Sequence, residues 1–170
     1  VQLQLGNSSV VRYSQLFDSD PTIPVFCNRG TSGIDGSTST AVGAAWYSKE
    51  QTVFISGDIS FFYDSNGLWN RYIKNDFRII LINNGGGGIF RILPGPKDSN
   101  VLEYFEYPHS LTAKQLAEMH GFSYCVVNSI EEIQRELESF YESSDKPKLL
   151  EILTPSSLND VVLKEYFKKL

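Results

Sequence analysis

Thr52-Val53-Phe54-Ile55-Ser56-Gly57-Asp58-Ile59-Ser60 and Phe77-Arg78-Ile79-Ile80-Leu81-Ile82-Asn83-Asn84-Gly85-Gly86-Gly87-Gly88 are the two stretches that decide the fold. Each is an apolar run that stops abruptly at small and polar residues. Thr52–Ser56 reads as a strand, because Thr52, Val53 and Ile55 are β-branched and Phe54 lies between them. Phe77–Asn83 is the strongest strand in the chain. Between the two, Ser60–Ile73 fits an aromatic-rich helix that Gly67 weakens. Near-continuous apolar strands separated by a helix indicate a parallel pair covered on both faces.

The same rhythm extends in both directions. Upstream, Val1–Leu5 reads as a strand, Ser8–Phe17 as a helix and Pro24–Asn28 as a short strand. Asp35–Tyr47 is rich in small residues and suits a helix packed closely on a sheet. Downstream, Leu111–His120 has helical spacing and ends at Gly121, a good residue to stop a helix. Phe122–Val127 is a strand. Ser129 with Glu132 forms a capping pattern ahead of Ile130, Ile133, Leu137 and Phe140. Leu149–Leu153 is a strand and Ser156–Leu170 a last helix. Pro94–Asn100 looks like an exposed loop. The sum is a doubly wound α/β domain with a mostly parallel sheet and helices on both faces. In such sheets ligands sit beyond the carboxyl ends of the strands.

Chemistry is therefore sought at the strand ends. Gly57-Asp58-Ile59-Ser60 combines a glycine, which lets backbone approach a phosphate, with a helix start that supplies amide donors. Asp58 is placed to hold a metal bridging to those phosphates, although Asp58 or Ser60 as a plain helix cap is a common alternative. Asn83-Asn84 ends the strongest strand, where amides are expensive unless they bind something. The glycines behind them free backbone groups to face a ligand; a flexible linker is less plausible between two apolar runs. Asn84 follows Asp58 by 26 positions. Adjacent parallel strands put both at one edge. A carboxylate, an amide oxygen and a backbone carbonyl make a hard oxygen site suited to Mg²⁺. No P-loop pattern occurs and no GxGxxG follows a strand, which weighs against ATP and NAD.

These residues resemble a known family. Gly57-Asp58 followed at this distance by Asn83-Asn84 is similar to the signature of thiamine-diphosphate enzymes of the pyruvate decarboxylase type. Ile59 stands where a further glycine is usual. Cys27-Asn28-Arg29-Gly30-Thr31-Ser32-Gly33-Ile34-Asp35-Gly36, Gly6-Asn7-Ser8-Ser9-Val10-Val11-Arg12 and Asn83–Pro94 resemble segments of one branch in particular. That branch is the MenD family, the 2-succinyl-5-enolpyruvyl-6-hydroxy-3-cyclohexene-1-carboxylate synthases of menaquinone biosynthesis. The likeness is close over the first hundred residues or so and by pattern only beyond them.

The resemblance implies a division of roles. Asp58, Asn84 and the Gly86 carbonyl would hold Mg²⁺ or Mn²⁺. Gly57 and Ser60 would face the diphosphate of thiamine diphosphate. Ile34 would bend the cofactor, with backbone groups from Ser32 onward meeting its pyrimidine; Ile34 as ordinary core is compatible with this. Ser8, Arg12 and Arg29 would bind the dicarboxylate substrates, 2-oxoglutarate and isochorismate, since guanidinium suits carboxylate. Ile89, Phe90 and Leu93 would wall the substrate pocket, or simply pack under the glycines. In the family a glutamate that activates the cofactor comes from an N-terminal pyrimidine-binding domain of a partner subunit. Nothing here matches it, so these residues would form a C-terminal cofactor-binding domain without a catalytic residue of its own, inactive alone, within a homo-oligomer. His109 and His120 match no family motif and are assigned structural roles.

Composition sets outer bounds. The chain has 170 residues, enough for one domain. Its net charge of −5 argues against a nucleic-acid partner. Cys27 and Cys125 are far apart in apolar company, which weighs against a zinc site and favours two buried reduced thiols over a disulfide. No apolar run approaches the ~20 residues of a membrane span, and a cytoplasmic location is expected. The opening Val-Gln-Leu-Gln-Leu lacks a methionine, which suggests that something upstream was removed. Two rival functions remain. One is a different thiamine-diphosphate decarboxylase or carboligase. The other is a non-catalytic module that binds a phosphorylated ligand.

Overall fold

A computed structural model describes residues 1–93, Gly95 and residues 100–169. Of the expected loop 94–100, only Gly95 and Asn100 therefore fall inside the described residues; Pro94 and Leu170, at the ends of two sequence readings, lie outside them. Six strands form one sheet, all parallel, in the order β2-β1-β3-β4-β6-β5. They are β1 (Gln2–Leu5), β2 (Val25–Cys27), β3 (Thr52–Gly57), β4 (Arg78–Asn83), β5 (Ser123–Val127) and β6 (Lys148–Leu153). The helices are α1 (Ser9–Ser14), α2 (Ser37–Tyr47), α3 (Asp58–Tyr63), α4 (Leu102–Glu106), α5 (Lys114–Met119), α6 (Ile130–Phe140) and α7 (Asn159–Lys168). This is the doubly wound α/β architecture expected from the strand rhythm.

Alternation along the strands distributes the core. Ile79 and Leu81 of β4 face one way, with Phe54 and Leu149, into a cluster shared with Ala41 and Ala45 of α2, Phe61 of α3 and Ala117 of α5. Ile80 and Leu150 face the other way, toward Ile133, Leu137 and Phe140 of α6. Ala41 and Ala45 of α2 are 0% and 2% exposed, so the small residues do bring that helix close to the sheet. Ser129 caps α6 by accepting from Glu132 N at 3.2 Å. Gly121, at φ +75°, ends α5. Its N–H donates to Glu118 O while Phe122 N donates to Ala117 O, the paired closure that a left-handed residue permits.

Four helices differ in extent from their sequence readings, the first being α1, which covers Ser9–Ser14 of the expected Ser8–Phe17. The expected helix Ser60–Ile73 is instead α3, which starts at Asp58 and stops at Tyr63, then a 3₁₀ turn over Ser65–Leu68. Asp64 is diverted: its carboxylate accepts from Ser39 N and Ser39 Oγ, both at 2.7 Å, and so caps the start of α2. Gly67 does not merely weaken a helix. A Cβ there would lie 2.8 Å from Ser39 N, so only glycine lets the turn cross α2. The helix expected over Leu111–His120 starts at Lys114, because Leu111 O accepts from Asn83 of β4 and Ala113 N donates to Glu151 of β6. The last helix is shorter than expected and buries none of its residues; Val161 and Val162 are 45% and 65% exposed. It lies against the 3₁₀ turn Gly88–Arg91, and its Tyr166 hydroxyl donates to Leu16 O at 3.3 Å. Neither that turn nor α4 was read from the sequence.

Candidate functional site

The strand order reverses direction between β1 and β3. The chain leaves β1 for β2 on one side and returns to β3 on the other. That switch opens a crevice at the carboxyl ends of the strands, where open α/β sheets bind ligands. A cavity of about 700 Å³ occupies it. Its walls come from the ends of β1 (Leu5, Asn7, Ser8), β3 (Ile55, Gly57, Asp58) and β4 (Ile82, Asn84), and from the glycine loop that follows β4.

The register brings the two expected metal ligands to one edge. Gly57 pairs with Ile82 across β3 and β4. Asp58 and Asn84 therefore leave neighbouring strands at the same end. Asp58 is 2% exposed. Its Oδ1 accepts from Ile59 N at 2.8 Å and its Oδ2 from Gly86 N at 2.9 Å. Burial pushes its carboxyl above the usual range, while these backbone donors and His109 pull it partly back.

The two asparagines do different things. Asn83 is 5% exposed and internally satisfied. Its Nδ2 donates to Glu151 Oε1 at 2.6 Å and Leu111 O at 2.9 Å, and its Oδ1 accepts from Gly85 N at 3.0 Å. Asn84 makes no side-chain hydrogen bond among the described residues. Its Nδ2 occupies the space that a Cβ on Gly88 would fill, 2.4 Å away. The expense of two amides at a buried strand end is thus met by protein at Asn83 and left open at Asn84.

The glycine loop is not a linker. Gly87 N donates to Glu106 O at 2.6 Å. Glu106 in turn forms a two-pronged ion pair with Arg91, through Nε and, at 2.9 Å, Nη2. A Cβ on Gly86 would sit 2.7 Å from the Glu106 carbonyl, a backbone atom that cannot easily yield. Gly86→Ala is therefore expected to force the loop off α4 and to cost about 1–3 kcal/mol of stability. A denaturant midpoint equal to wild type would show that the loop gives way freely.

The remaining expected residues divide. Ser8, Ile34, Gly57, Ser60, Ile89 and Phe90 line the cavity. Ser60 Oγ is already engaged, donating to Ile34 O at 2.7 Å, which ties the loop before α2 to α3. Ser8 has φ +69°, an uncommon conformation for a residue with a side chain, at the cavity wall. Ser32, Arg12, Arg29 and Leu93 do not line it. Arg12 is exposed on α1. Exposed Arg29 donates from Nη1 to Asn7 Oδ1 at 3.0 Å, with no carboxylate partner among the described residues. Both cysteines are free thiols, half-buried rather than fully buried; burial pushes each upward in pKa.

Two residues at the site escaped the sequence reading. Asn7, 2% exposed, donates from Nδ2 to Asn28 O at 2.6 Å and Gly33 O at 2.7 Å. It holds the Asn28–Gly33 loop over the crevice. The second is His109, whose side chain is 6% exposed, with Nε2 3.2 Å from Asp58 Oδ2. The expectation of a structural role in a polar loop did not include this contact with Asp58 of the cavity wall. Nothing in spacing or composition linked it to Asp58.

The donor set fits a divalent cation with a diphosphate. It offers one buried carboxylate, one amide with no side-chain bond among the described residues, and backbone at glycines. The first-turn amides of α3 face the same edge, as helix starts do.

Comparison with known proteins agrees. Residues 6–152 match the family model described as thiamine pyrophosphate enzyme, C-terminal TPP binding domain. The chain is 59% identical over 170 residues to a 2-succinyl-5-enolpyruvyl-6-hydroxy-3-cyclohexene-1-carboxylate synthase of Flavobacterium johnsoniae, covering 99% of this chain and 31% of that protein. A synthase of the same name from Christiangramia forsetii is 59% identical over 166 residues, 97% of this chain and 29% of that protein. The chain thus spans less than a third of the length of these curated relatives. Among solved structures, a thiamine diphosphate-dependent 4-hydroxybenzoylformate decarboxylase of Rhodococcus jostii RHA1 superposes with a TM-score of 0.66. It shares 21% identity, over 90% of this chain and 29% of that one, and so speaks to the fold alone. With the family model spanning the sheet from the end of β1 to β6, and the crevice built where that family's signature falls, this chain belongs to the C-terminal TPP-binding domains of thiamine pyrophosphate enzymes.

Proposed function

We propose that this chain is the diphosphate- and metal-binding domain, over residues 1–170, of a synthase in menaquinone biosynthesis. That enzyme decarboxylates 2-oxoglutarate and joins the remaining four-carbon unit to isochorismate. The observation that carries the reading is the convergence of Asp58, Asn84 and the glycine loop on the switch-point crevice. The names of the relatives direct it to this synthase rather than another carboligase.

Thiamine diphosphate, when bound, supplies the electron sink for breaking and making carbon–carbon bonds. The protein supplies position. Asp58, Asn84 and the Gly86 carbonyl hold Mg²⁺, or Mn²⁺ in its place. Gly57, Ser60 and the α3 amides serve the diphosphate. Ile34 and the backbone from Ser32 support the rings. Ser8, Arg12 and Arg29 serve substrate carboxylates; Arg12 precedes Tyr13 of the cavity wall, and Arg29 donates to Asn7 of that wall. Ile89, Phe90 and Leu93 exclude water. The acids that line the cavity among the described residues are Asp58 and Glu106. The first is assigned to the metal and the second is paired with Arg91. Activation of the cofactor is therefore assigned to a glutamate on the pyrimidine-binding domain of a partner subunit in a homo-oligomer. No helix among the described residues is long and apolar enough to cross a membrane; we place the enzyme in the cytoplasm.

Calorimetry on the full-length protein tests the reading. Thiamine diphosphate with Mg²⁺ should bind, and ATP with Mg²⁺ should not. The reverse order would replace the synthase with a nucleotide-binding module. The 170-residue polypeptide given both substrates and saturating cofactor should show no carboligation. Turnover by it alone would mean that a base within these residues activates the cofactor.

A further inference from the structure

The segment 108–113 has no regular structure, yet His109, Leu111 and Ala113 are each tied down by hydrogen bonds. His109 N donates to Gly85 O at 3.0 Å. Leu111 N donates to His109 Nδ1 at 3.1 Å, and Leu111 O accepts from Asn83 Nδ2 at 2.9 Å. Ala113 N donates to Glu151 Oε2 at 3.0 Å. The segment is thus stapled to the glycine loop at one end and to the buried Glu151 at the other. Backbone and side chain together make one connected path: Glu151, Asn83, the Leu111 peptide, His109 and then Asp58.

The imidazole is fixed in that path. Phe62 packs edge-on against it, with ring centroids 5.5 Å apart and planes at 82°. Because Leu111 N–H donates to Nδ1, that nitrogen carries the lone pair and Nε2 carries the proton. Nε2 lies against the carboxylate, 3.2 Å from Asp58 Oδ2. The contact is close but not aligned as a hydrogen bond, and Nε2 has no other partner among the described residues. A buried N–H without an aligned acceptor is costly. Among the described residues Asp58 is otherwise gripped by backbone, chiefly through Ile59 N and Gly86 N.

We propose that His109 is a positioning residue for the cation site. Its Nε2–H restrains the Asp58 carboxylate, so that the remaining oxygen lone pairs are presented to the metal. Carboxylates that ligate metals are themselves held by hydrogen bonds, and loss of such a partner costs metal affinity. The inference rests on the reading of Asp58 as a metal ligand given above. It assigns His109 no proton transfer and no contact with substrate.

Mn²⁺ binding to the full-length protein, followed by the resonance of the free ion at saturating thiamine diphosphate, tests it. His109→Phe keeps a ring against Phe62 but has no nitrogen. It should weaken Mn²⁺ binding by about 10- to 100-fold. His109→Gln places an amide N–H at a reach similar to Nε2 and should recover most of the affinity. His109→Asn, whose amide stops near the Nδ1 position, should bind as weakly as the phenylalanine variant and carries the test if that variant fails to fold. A thermal midpoint measured without metal separates packing from positioning. A purely structural histidine would lower that midpoint while the folded variants kept wild-type affinity for Mn²⁺. Wild-type affinity in H109F, or in H109N, overturns the proposal. If the wild-type protein itself bound neither Mn²⁺ nor thiamine diphosphate, the functional reading would fall instead.

Discussion

Asp58→Ala should abolish Mg²⁺-dependent binding of thiamine diphosphate in the full-length protein. Asp58 is the one carboxylate at the shared end of β3 and β4 among the described residues that line the cavity and carry no ion-pair with arginine. Removing it takes away a charged ligand, and the effect should exceed the roughly 10–100-fold that follows loss of an outer partner. Asp58→Asn sharpens the test. It keeps an oxygen for one of the two backbone donors but not the charge, and should fail almost as completely. Stability should move the opposite way. Burial raises the Asp58 pKa, so the ionised carboxylate opposes folding of the metal-free protein. That penalty is present above the raised folded-state pKa and is relieved as pH falls through it. The asparagine variant, without the charge, should lack this gain on acidification. Cofactor affinity unchanged in Asp58→Ala, measured by calorimetry, would sink the metal assignment.

This opposition between stability and binding explains why the site was readable at all. A buried aspartate and an amide with no bond of its own are poor choices for a core, so they stand out against apolar strands. The strand ends, the parallel pairing of β3 with β4 and the glycine loop all follow from local pattern. The helix limits do not. Whether Asp64 continues α3 or turns to cap Ser39 is decided by α2, which lies elsewhere in the sequence. Gly67 has the same cause: its helix-breaking character is visible in sequence, but the neighbour that requires it is not.

The supporting shell was hidden for a related reason. Asn7, His109 and Glu151 act through partners 20 to 68 residues away, and single polar residues at such distances leave no periodic trace. Asn83 and Asn84 illustrate the limit within one dipeptide. Both have the same chemistry and both end the same strand. The pleat turns one toward Glu151 and leaves the other facing the crevice. Sequence pattern located the pair; only the sheet divides their labour. Arg12 and Arg29 show the converse. Their motif segments are present, yet both residues are exposed and outside the cavity wall, so pattern alone does not place a side chain at the crevice.

Glu151→Ala should be the most destabilising single change in the domain. The residue sits in the apolar run Lys148-Leu149-Leu150-Glu151-Ile152-Leu153 and is 0% exposed. Its two oxygens accept from Asn83 Nδ2 at 2.6 Å, Tyr124 Oη at 2.6 Å and Ala113 N at 3.0 Å. Such acceptor-only bonding is that of a carboxylate. Burial, with Glu151 as hydrogen-bond acceptor, pushes the Tyr124 phenol well upward, so it stays a donor. Truncation would strand three buried donors from β4, β5 and the segment before α5. Each orphaned donor costs about 1–3 kcal/mol, and removal of a buried network's anion about 3–5 kcal/mol in all, since the penalties are not additive. Glu151→Gln should fall between, because its amide N–H₂ must meet at least one donor head-on. The damage should reach the site through Asn83, whose Oδ1 otherwise holds Gly85 N. Urea denaturation gives the stability change, and metal-dependent cofactor binding near the folding optimum gives its local consequence. A Glu151→Ala protein within about 1 kcal/mol of wild type would mean that water replaces the carboxylate, and the buried network would then be ornament rather than support.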